Sequence, residues 1–379
     1  MSGDPFKLGE AKIAGTGKVP EQSVIPKEVA EQFLSEDGKY WQPWREIGST
    51  EAVTTLNIFR MKQKYALPTV TVAMRVPYTY TYLQLFIQRL QQSKLLGVGV
   101  DEVGLTPEGR KLQVIRIEPP TVDHTDLPSI LIIAREHATE HASSWALHGA
   151  LTRVLIESSN GGSLCKDKTW LFIPIQDPDG SSHAIFDRQT ETFRSGARED
   201  VLSEVISYSR YFADYVGTDR TIDVSATLHN IEVNEGSQFL CPFVDMRMKE
   251  SSIQFNRHIF KQLAADGYIV NDPNVPWAQG FIPFRLYGWI ADHFKSYDLA
   301  YEVNDRYPQQ RLSLLRVQRL GAIIAAAVND WQNSEEGIAW HHRAKRAIYL
   351  HKLARLAYFE RQGYDPQLRT TNDSIQFGY

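Results

Sequence analysis

Four residues of this 379-residue chain have types and positions suited to gripping a divalent metal ion and using it: His137, Glu140, His229 and Glu302. An apolar, β-branched run at residues 130–134 ends abruptly in Arg135-Glu-His-Ala-Thr-Glu140. His229 closes the run Val224-Ser-Ala-Thr-Leu228, and Glu302 follows Leu299-Ala-Tyr301. Open α/β sheets bind ligands at the carboxyl ends of their strands, so groups that follow strands can converge on one sheet edge. Imidazole and carboxylate both suit zinc, and a hydrolytic zinc site needs three protein ligands and one open position for water. Three of the four groups can hold the ion, and the fourth can move protons. A single histidine at a strand end is more often a hydrogen-bonded structural residue, and His124, His148, His183, His258 and His293 read that way. His341, His342 and His351 read as packed or solvated. The order of the four candidates along the chain is what favours a metal site.

The elements that must position these groups follow from periodicity. Residues 1–45 are rich in Gly, Pro, Lys and Glu and read as an extended arm, with Trp41, Trp44 and Ile47 anchoring its end. Residues 53–59 and 69–76 are strand-like. Leu83, Phe86, Ile87 and Leu90 have helical spacing over residues 79–94. Strands are expected at 111–117, 130–134, 170–175, 224–228, 238–240 and 299–303. Helices are expected at 142–157, 202–216, 246–265 and 312–331, and Asp177-Pro-Asp-Gly180 reads as a turn. Strands alternating with helices imply an α/β fold: a central mixed, mostly parallel β-sheet of about eight strands with helices on both faces. The expected division is an N-terminal arm and small strand region over 1–70, a catalytic domain over 71–335, and a C-terminal basic helical tail over 336–379. The tail carries Arg343, Lys345, Arg346, Lys352 and Arg355 on a helix over 338–362. It reads as a packing helix with a solvated basic face, with an oligomer contact as the sharper alternative.

Bulk properties narrow the partners. Lys and Arg total 41 against 45 Asp and Glu, so the net charge of −4 argues against nucleic acid as the main partner. No apolar run approaches the roughly 18 residues of a membrane span, and no secretory signal is visible at the N-terminus. Cys165 and Cys241 are the two cysteines, too few for a disulfide framework, and a reducing cytoplasm is the expected location.

At this point the ordered pieces resemble the zinc metallocarboxypeptidases of the carboxypeptidase A/B type. Gly104-Leu-Thr-Pro-Glu-Gly-Arg110 resembles the family's lead-in to a strand, and His137-Ala-Thr-Glu140 its His-x-x-Glu ligand pair. Pro174-Ile-Gln-Asp-Pro-Asp-Gly180 is similar to its Pro-x-x-Asn-Pro-Asp-Gly turn. Leu228-His229 resembles the third ligand and Tyr301-Glu302 the catalytic glutamate. Pro77-Tyr-Thr-Tyr80 and the helix after it look most like the cytosolic subgroup. The resemblance covers about residues 70–335. It implies one Zn²⁺ ion on His137, Glu140 and His229, and Glu302 as the proton shuttle. The implied reaction is hydrolysis of a C-terminal peptide bond or peptide-like amide. The alternatives are an amidase or deacylase acting on a non-peptide or cell-wall amide, and a metal-retaining binding protein without turnover.

The chain departs from the family pattern after Gly180. The Asp-Leu-Asn-Arg stretch, whose Asn-Arg pair grips the substrate carboxylate in relatives, is absent. Arg188 is the candidate for polarising the scissile carbonyl, and Arg194 for anchoring the carboxylate. The aromatic loop at 277–289 is expected to wall the pocket, with Tyr287 closing it and Arg285 favouring an acidic side chain. His137-Ala-Thr-Glu-His141 is also a literal inverted-zincin string, which would place both histidines on one helix. That reading needs the whole pentad inside a helix, and the apolar run at 130–134 leaves little room for a preceding helical turn.

Overall fold

A computed structural model of the chain describes residues 50–53, 58–61, 76–120, 123–159, 161–185, 203–230, 237–240, 243–244, 249–271, 278–279, 286–294, 296–305 and 312–361. Its first two strands, β1 (Thr50–Val53) and β2 (Ile58–Met61), form an antiparallel pair. The run read as a single strand over 53–59 therefore contributes its ends to two. Most of the run expected at 69–76 lies outside the described residues.

The main sheet contains β3 (Val98–Leu105), β4 (Lys111–Ile117), β5 (Ser129–Ala134), β6 (Thr169–Ile173), β7 (Val224–His229), β8 (Phe239–Leu240) and β11 (Tyr297–Val303). A separate two-stranded pair joins β9 (Phe243–Val244) to β10 (Ala278–Gln279). The order in the seven-stranded sheet is β3-β4-β6-β5-β7-β11-β8. The four central strands β6, β5, β7 and β11 run parallel, β4 and β8 flank them antiparallel, and β3 pairs antiparallel to β4. The sheet of the described residues is thus mixed rather than mostly parallel, with three parallel and three antiparallel pairings among its seven strands. The reason is local: residues 106–110 make a tight hairpin, with the Thr106 N–H donating to the Arg110 carbonyl, and a hairpin can only join antiparallel strands.

Alternation along each strand splits the core in two. Ile130, Ile132, Val224, Ala226, Leu228, Leu299, Tyr301 and Val303 pack on one face. They meet helices α1 (Tyr80–Ser93), α2 (His141–Ser159), α5 (Lys249–Ala265) and α7 (Leu314–Gln332). Leu131, Ile133, Leu171 and Ile173 pack on the other, against α4 (Ser203–Gly217) and α6 (Leu286–Phe294). A short α3 (Pro178–His183) and the terminal α8 (Glu335–Arg361) complete the helices of the described residues. The continuous apolar run of β5 is explained by this arrangement, since both of its faces are covered.

Helices α2 and α7 cross at backbone contact. A Cβ on Gly149 would meet the Gln318 carbonyl oxygen at 1.8 Å, and one on Gly321 would meet the Ala146 carbonyl oxygen at 1.7 Å. The expected helix start at Thr79 holds: its hydroxyl caps α1 by accepting from the Tyr82 N–H. The Asp177-Pro-Asp-Gly180 turn is instead the opening of α3, because Asp177 accepts from the Gly180 N–H and Pro178 occupies the first helical turn. The first half of α8 packs on the amino ends of the central strands. There His341 Nδ1 lies 2.7 Å from Asp223 Oδ1, and Lys345 pairs with Asp126.

His148 sits inside an aromatic box of Tyr78, Tyr82, Phe86 and Trp145. Burial pushes its pKa down to about 3. The unfolded chain takes that proton near the ordinary histidine value of about 6.5. Its folded pKa is depressed, so its contribution is complete above ~6.5 and is lost as pH falls towards ~3. Between pH 6.5 and 4 the wild type should lose on the order of 3 kcal/mol more unfolding free energy than His148→Gln. Urea titrations at a series of pH values check this, and parallel pH profiles for the two proteins would reject it.

Candidate metal centre

The carboxyl ends of β5, β6, β7 and β11 lie at one edge of the sheet, and the candidate residues sit there. Immediately after β5, Arg135 takes a left-handed conformation with φ 62°. Residues 136–140 then form turns, and α2 begins only at His141. The pentad 137–141 is therefore not inside one helix, which removes the geometry the inverted-zincin string needs.

His137, Glu140 and His229 come together. His137 Nδ1 is 2.6 Å from Glu140 Oε1, His229 Nδ1 is 3.1 Å from Glu140 Oε2, and the two Nδ1 atoms are 3.2 Å apart. Glu302 pairs in register with His229 across the parallel strands β11 and β7. Registered neighbours leave a sheet on the same face, so the Glu302 carboxylate stands beside the cluster. That face is opposite to the one buried by Leu228 and Tyr301.

Burial raises the Glu140 pKa, but the neighbouring imidazoles of His229 and His137 outweigh it and bring the carboxyl down to about 2. Burial lowers the His229 pKa, and Glu140, with a smaller contribution from Glu302, outweighs it, so the net shift is upward. Beneath them lies Arg135, fully buried; burial lowers its pKa to about 10, opposed by Glu140, Tyr78 and Asp177. Its guanidinium stays charged at neutral pH and offsets part of the buried negative charge.

The donor set fits a divalent ion. Tetrahedral ligands about 2.0–2.1 Å from zinc stand about 3.3–3.4 Å apart. The donors of His137, Glu140 and His229 are separated by 2.6 to 3.2 Å, slightly tighter than that spacing. Glu136, His137 and His229 also present one donor atom each within 4.8 Å of one another. Glu140 brings its oxygens nearer to the two imidazoles, at 2.6 and 3.1 Å, than Glu136 Oε2 comes to His229, at 3.5 Å. His141 turns elsewhere: its Nδ1 accepts from the Tyr78 N–H at 3.0 Å and from Arg135 Nη1 at 2.8 Å.

Tertiary bonds hold this edge together. Arg135 Nη1 donates to the Tyr78 carbonyl at 3.0 Å, and Trp145 Nε1 to the Val76 carbonyl at 3.0 Å, clamping residues 76–78 under the ligand turns. The Gln176 and Asp177 N–H groups donate to the carbonyls of Ala134 and Arg135. Asp179 accepts from the Thr106 hydroxyl at 2.7 Å and from Arg110 Nη1 at 2.6 Å. The two ordered motifs at 104–110 and 174–180 are thus direct partners. Asn230 Nδ2 donates to the Val303 carbonyl at 2.6 Å, tying the end of β7 to the end of β11.

Tyr287 is buried on α6, and its ring meets the His229 ring edge-on at 6.4 Å. The segment expected to be a loop through residue 289 is thus partly helical. Arg188, Arg194 and Arg285 lie outside the described residues. The sequence reading passed over Glu136 and Arg135. The available signal was a charged pair set directly between a buried strand and the first ligand, where solvent is excluded.

Comparisons with known proteins bear on the family and the fold. The zinc carboxypeptidase family model matches residues 83–228, a segment that contains His137 and Glu140 and ends one residue before His229. The chain is 28% identical over 112 residues to cytosolic carboxypeptidase 6 of Caenorhabditis elegans. That match spans 29% of this chain and 24% of the relative, about a quarter of its length. Among solved structures, a metallo-carboxypeptidase from Burkholderia cenocepacia superposes with a TM-score of 0.53 at 19% identity, covering 66% of this chain and 68% of that one. A metallo-carboxypeptidase from Pseudomonas aeruginosa, solved with (2-guanidinoethylmercapto)succinic acid, superposes with a TM-score of 0.51 at 17% identity, covering 67% of this chain and 69% of that one. These likenesses show a carboxypeptidase-like fold.

Proposed function

We propose, from the zinc-carboxypeptidase match over residues 83–228, that this chain is a zinc-dependent hydrolase of C-terminal peptide bonds or peptide-like amides. The observation that carries the reading is the convergence of His137, Glu140 and His229 within 3.2 Å at the sheet edge, with Glu302 in register beside His229. The catalytic unit is assigned to residues 71–335.

A zinc ion held there supplies an acidified water and a Lewis acid for the carbonyl. The chain's own residues supply the rest. His137, Glu140 and His229 would hold the ion. Glu302 accepts a proton from the attacking water as its oxygen bonds to the amide carbon. The same carboxyl then gives that proton to the leaving amine nitrogen as the C–N bond breaks. Tyr287, packed against His229, walls the pocket. Arg188 is assigned to the scissile carbonyl, Arg194 to the substrate carboxylate, and Arg285 to an acidic side chain of the substrate.

No helix of the described residues is long and apolar enough to cross a membrane. We assign the chain to the cytoplasm, in keeping with its cytosolic carboxypeptidase relative and its two cysteines. Cys165 is buried and free, and burial pushes its thiol up to about 12.

The test is metal analysis of the purified protein together with paired peptides, one with a free C-terminal carboxylate and one amidated. A bidentate arginine anchor makes wild type prefer the free acid by on the order of 10- to 100-fold, and Arg194→Ala loses most of that preference. Equal cleavage of the two peptides by wild type would move the function to a general amidase. Bound zinc with no turnover on any amide would make the chain a binding protein.

A further inference from the structure

We propose that Glu136 is the positioning residue for His229, accepting a hydrogen bond from its Nε2–H and thereby directing its Nδ1 at the metal. The inference rests on the metal reading above and names a residue outside the triad of that reading.

The two nitrogens of the His229 ring face different carboxylates. Nδ1 lies 3.1 Å from Glu140 Oε2 and 3.2 Å from His137 Nδ1, inside the compact donor set. Nε2 points the other way and lies 3.5 Å from Glu136 Oε2. A neutral imidazole has one N–H donor and one lone pair, and a metal takes the lone pair. The nitrogen left over must carry the proton, and in this ring that nitrogen faces Glu136.

The placement of Glu136 is a consequence of the backbone. The left-handed Arg135 interrupts β5, so the next residue leaves the alternation of the strand. Glu136 is consequently buried, only 4% exposed, at the sheet edge rather than in solvent. A carboxylate in that environment needs a compensating charge or donor. The His229 ring, between Glu136 on one side and Glu140 on the other, is placed to supply one through Nε2, 3.5 Å from Glu136 Oε2.

A carboxylate that accepts the distal N–H of a metal-binding histidine fixes its tautomer, restrains the ring and makes the other nitrogen a better donor. Removing such a partner typically weakens metal binding about 10- to 100-fold. The alternative role is also defined by the geometry. Glu136, His137 and His229 present donor atoms within 4.8 Å, so Glu136 could enter the ligand set itself. The compact spacing around His229 Nδ1 favours the positioning role.

Zinc dissociation constants of wild type, Glu136→Ala, Glu136→Gln and Glu140→Gln, measured by chelator competition, separate these roles without reference to turnover. Glu136→Ala should weaken zinc about 10- to 100-fold. Glu136→Gln should stay within several-fold of wild type, because an amide oxygen still accepts from Nε2–H. Glu140→Gln should lose more than either. In the zinc-loaded wild type, ¹⁵N spectra should show His229 protonated at Nε2. Wild-type affinity in Glu136→Ala, or metallation of His229 through Nε2, overturns the proposal alone. So does a loss in Glu136→Gln as large as in Glu140→Gln, which would make Glu136 a ligand. A wild type that binds no zinc overturns the metal reading and this inference together. Should Glu136→Ala fail to fold, the glutamine variant and the wild-type spectra still decide.

Discussion

His229→Ala is expected to strip the protein of most of its zinc and of nearly all hydrolytic activity, whereas His141→Ala keeps the ion. The Nδ1 of His229 closes the compact triad at 3.1 Å from Glu140 and 3.2 Å from His137. Removing it leaves two donors where a hydrolytic site needs three. His141 has the same chemistry and lies one residue from Glu140, but its Nδ1 is engaged by Tyr78 and Arg135. Zinc content after dialysis, measured on folded samples of both variants, checks the pair. An empty His141→Ala beside a loaded His229→Ala would invert the assignment.

The second large effect is expected from Glu302→Gln, which should keep zinc and fold and lower kcat by at least ~10²-fold. The substitution preserves shape and leaves the side chain in register with His229 on β11. It removes the capacity to accept a proton from water and return it to the leaving nitrogen. The three proposed metal ligands remain, so a loss of zinc in this variant would mean that Glu302 holds the ion. Steady-state kinetics on the best peptide of the screen, with metal analysis of the same sample, give both readouts. Near-normal kcat would reject the shuttle role.

Elements whose pattern satisfies a single local rule could be read from the chain directly. The strand at 111–117 agrees with the structure residue for residue, and the helical run at 79–94 and the buried strand at 130–134 differ from it by no more than one residue at either end. In the two strands an apolar, β-branched run is enough, and in the helix the apolar period and the Thr79 cap point the same way. Val98–Leu105 was missed because two glycines and two acidic residues mask its alternation, and its strand character comes from pairing with β4. The helix Leu286–Phe294 overlaps the expected loop at 277–289 over residues 286–289, because its nine residues span too few turns for period to outweigh aromatic content.

The site divides in the same way. The sequence by itself determined the chemistry available: two imidazoles and two carboxylates, each at the end of an apolar run, because residue type and strand termini are local properties. Tertiary structure alone decided which of them meet. His229 and Glu302 are neighbours through the register of β7 and β11. His141 is turned away by the Tyr78 segment, 63 residues earlier in the chain. Glu136 reaches His229 because the left-handed Arg135 breaks the strand's alternation. Those outcomes depend on strand order, register and one backbone angle, which are set by long-range pairing and packing rather than by any local pattern.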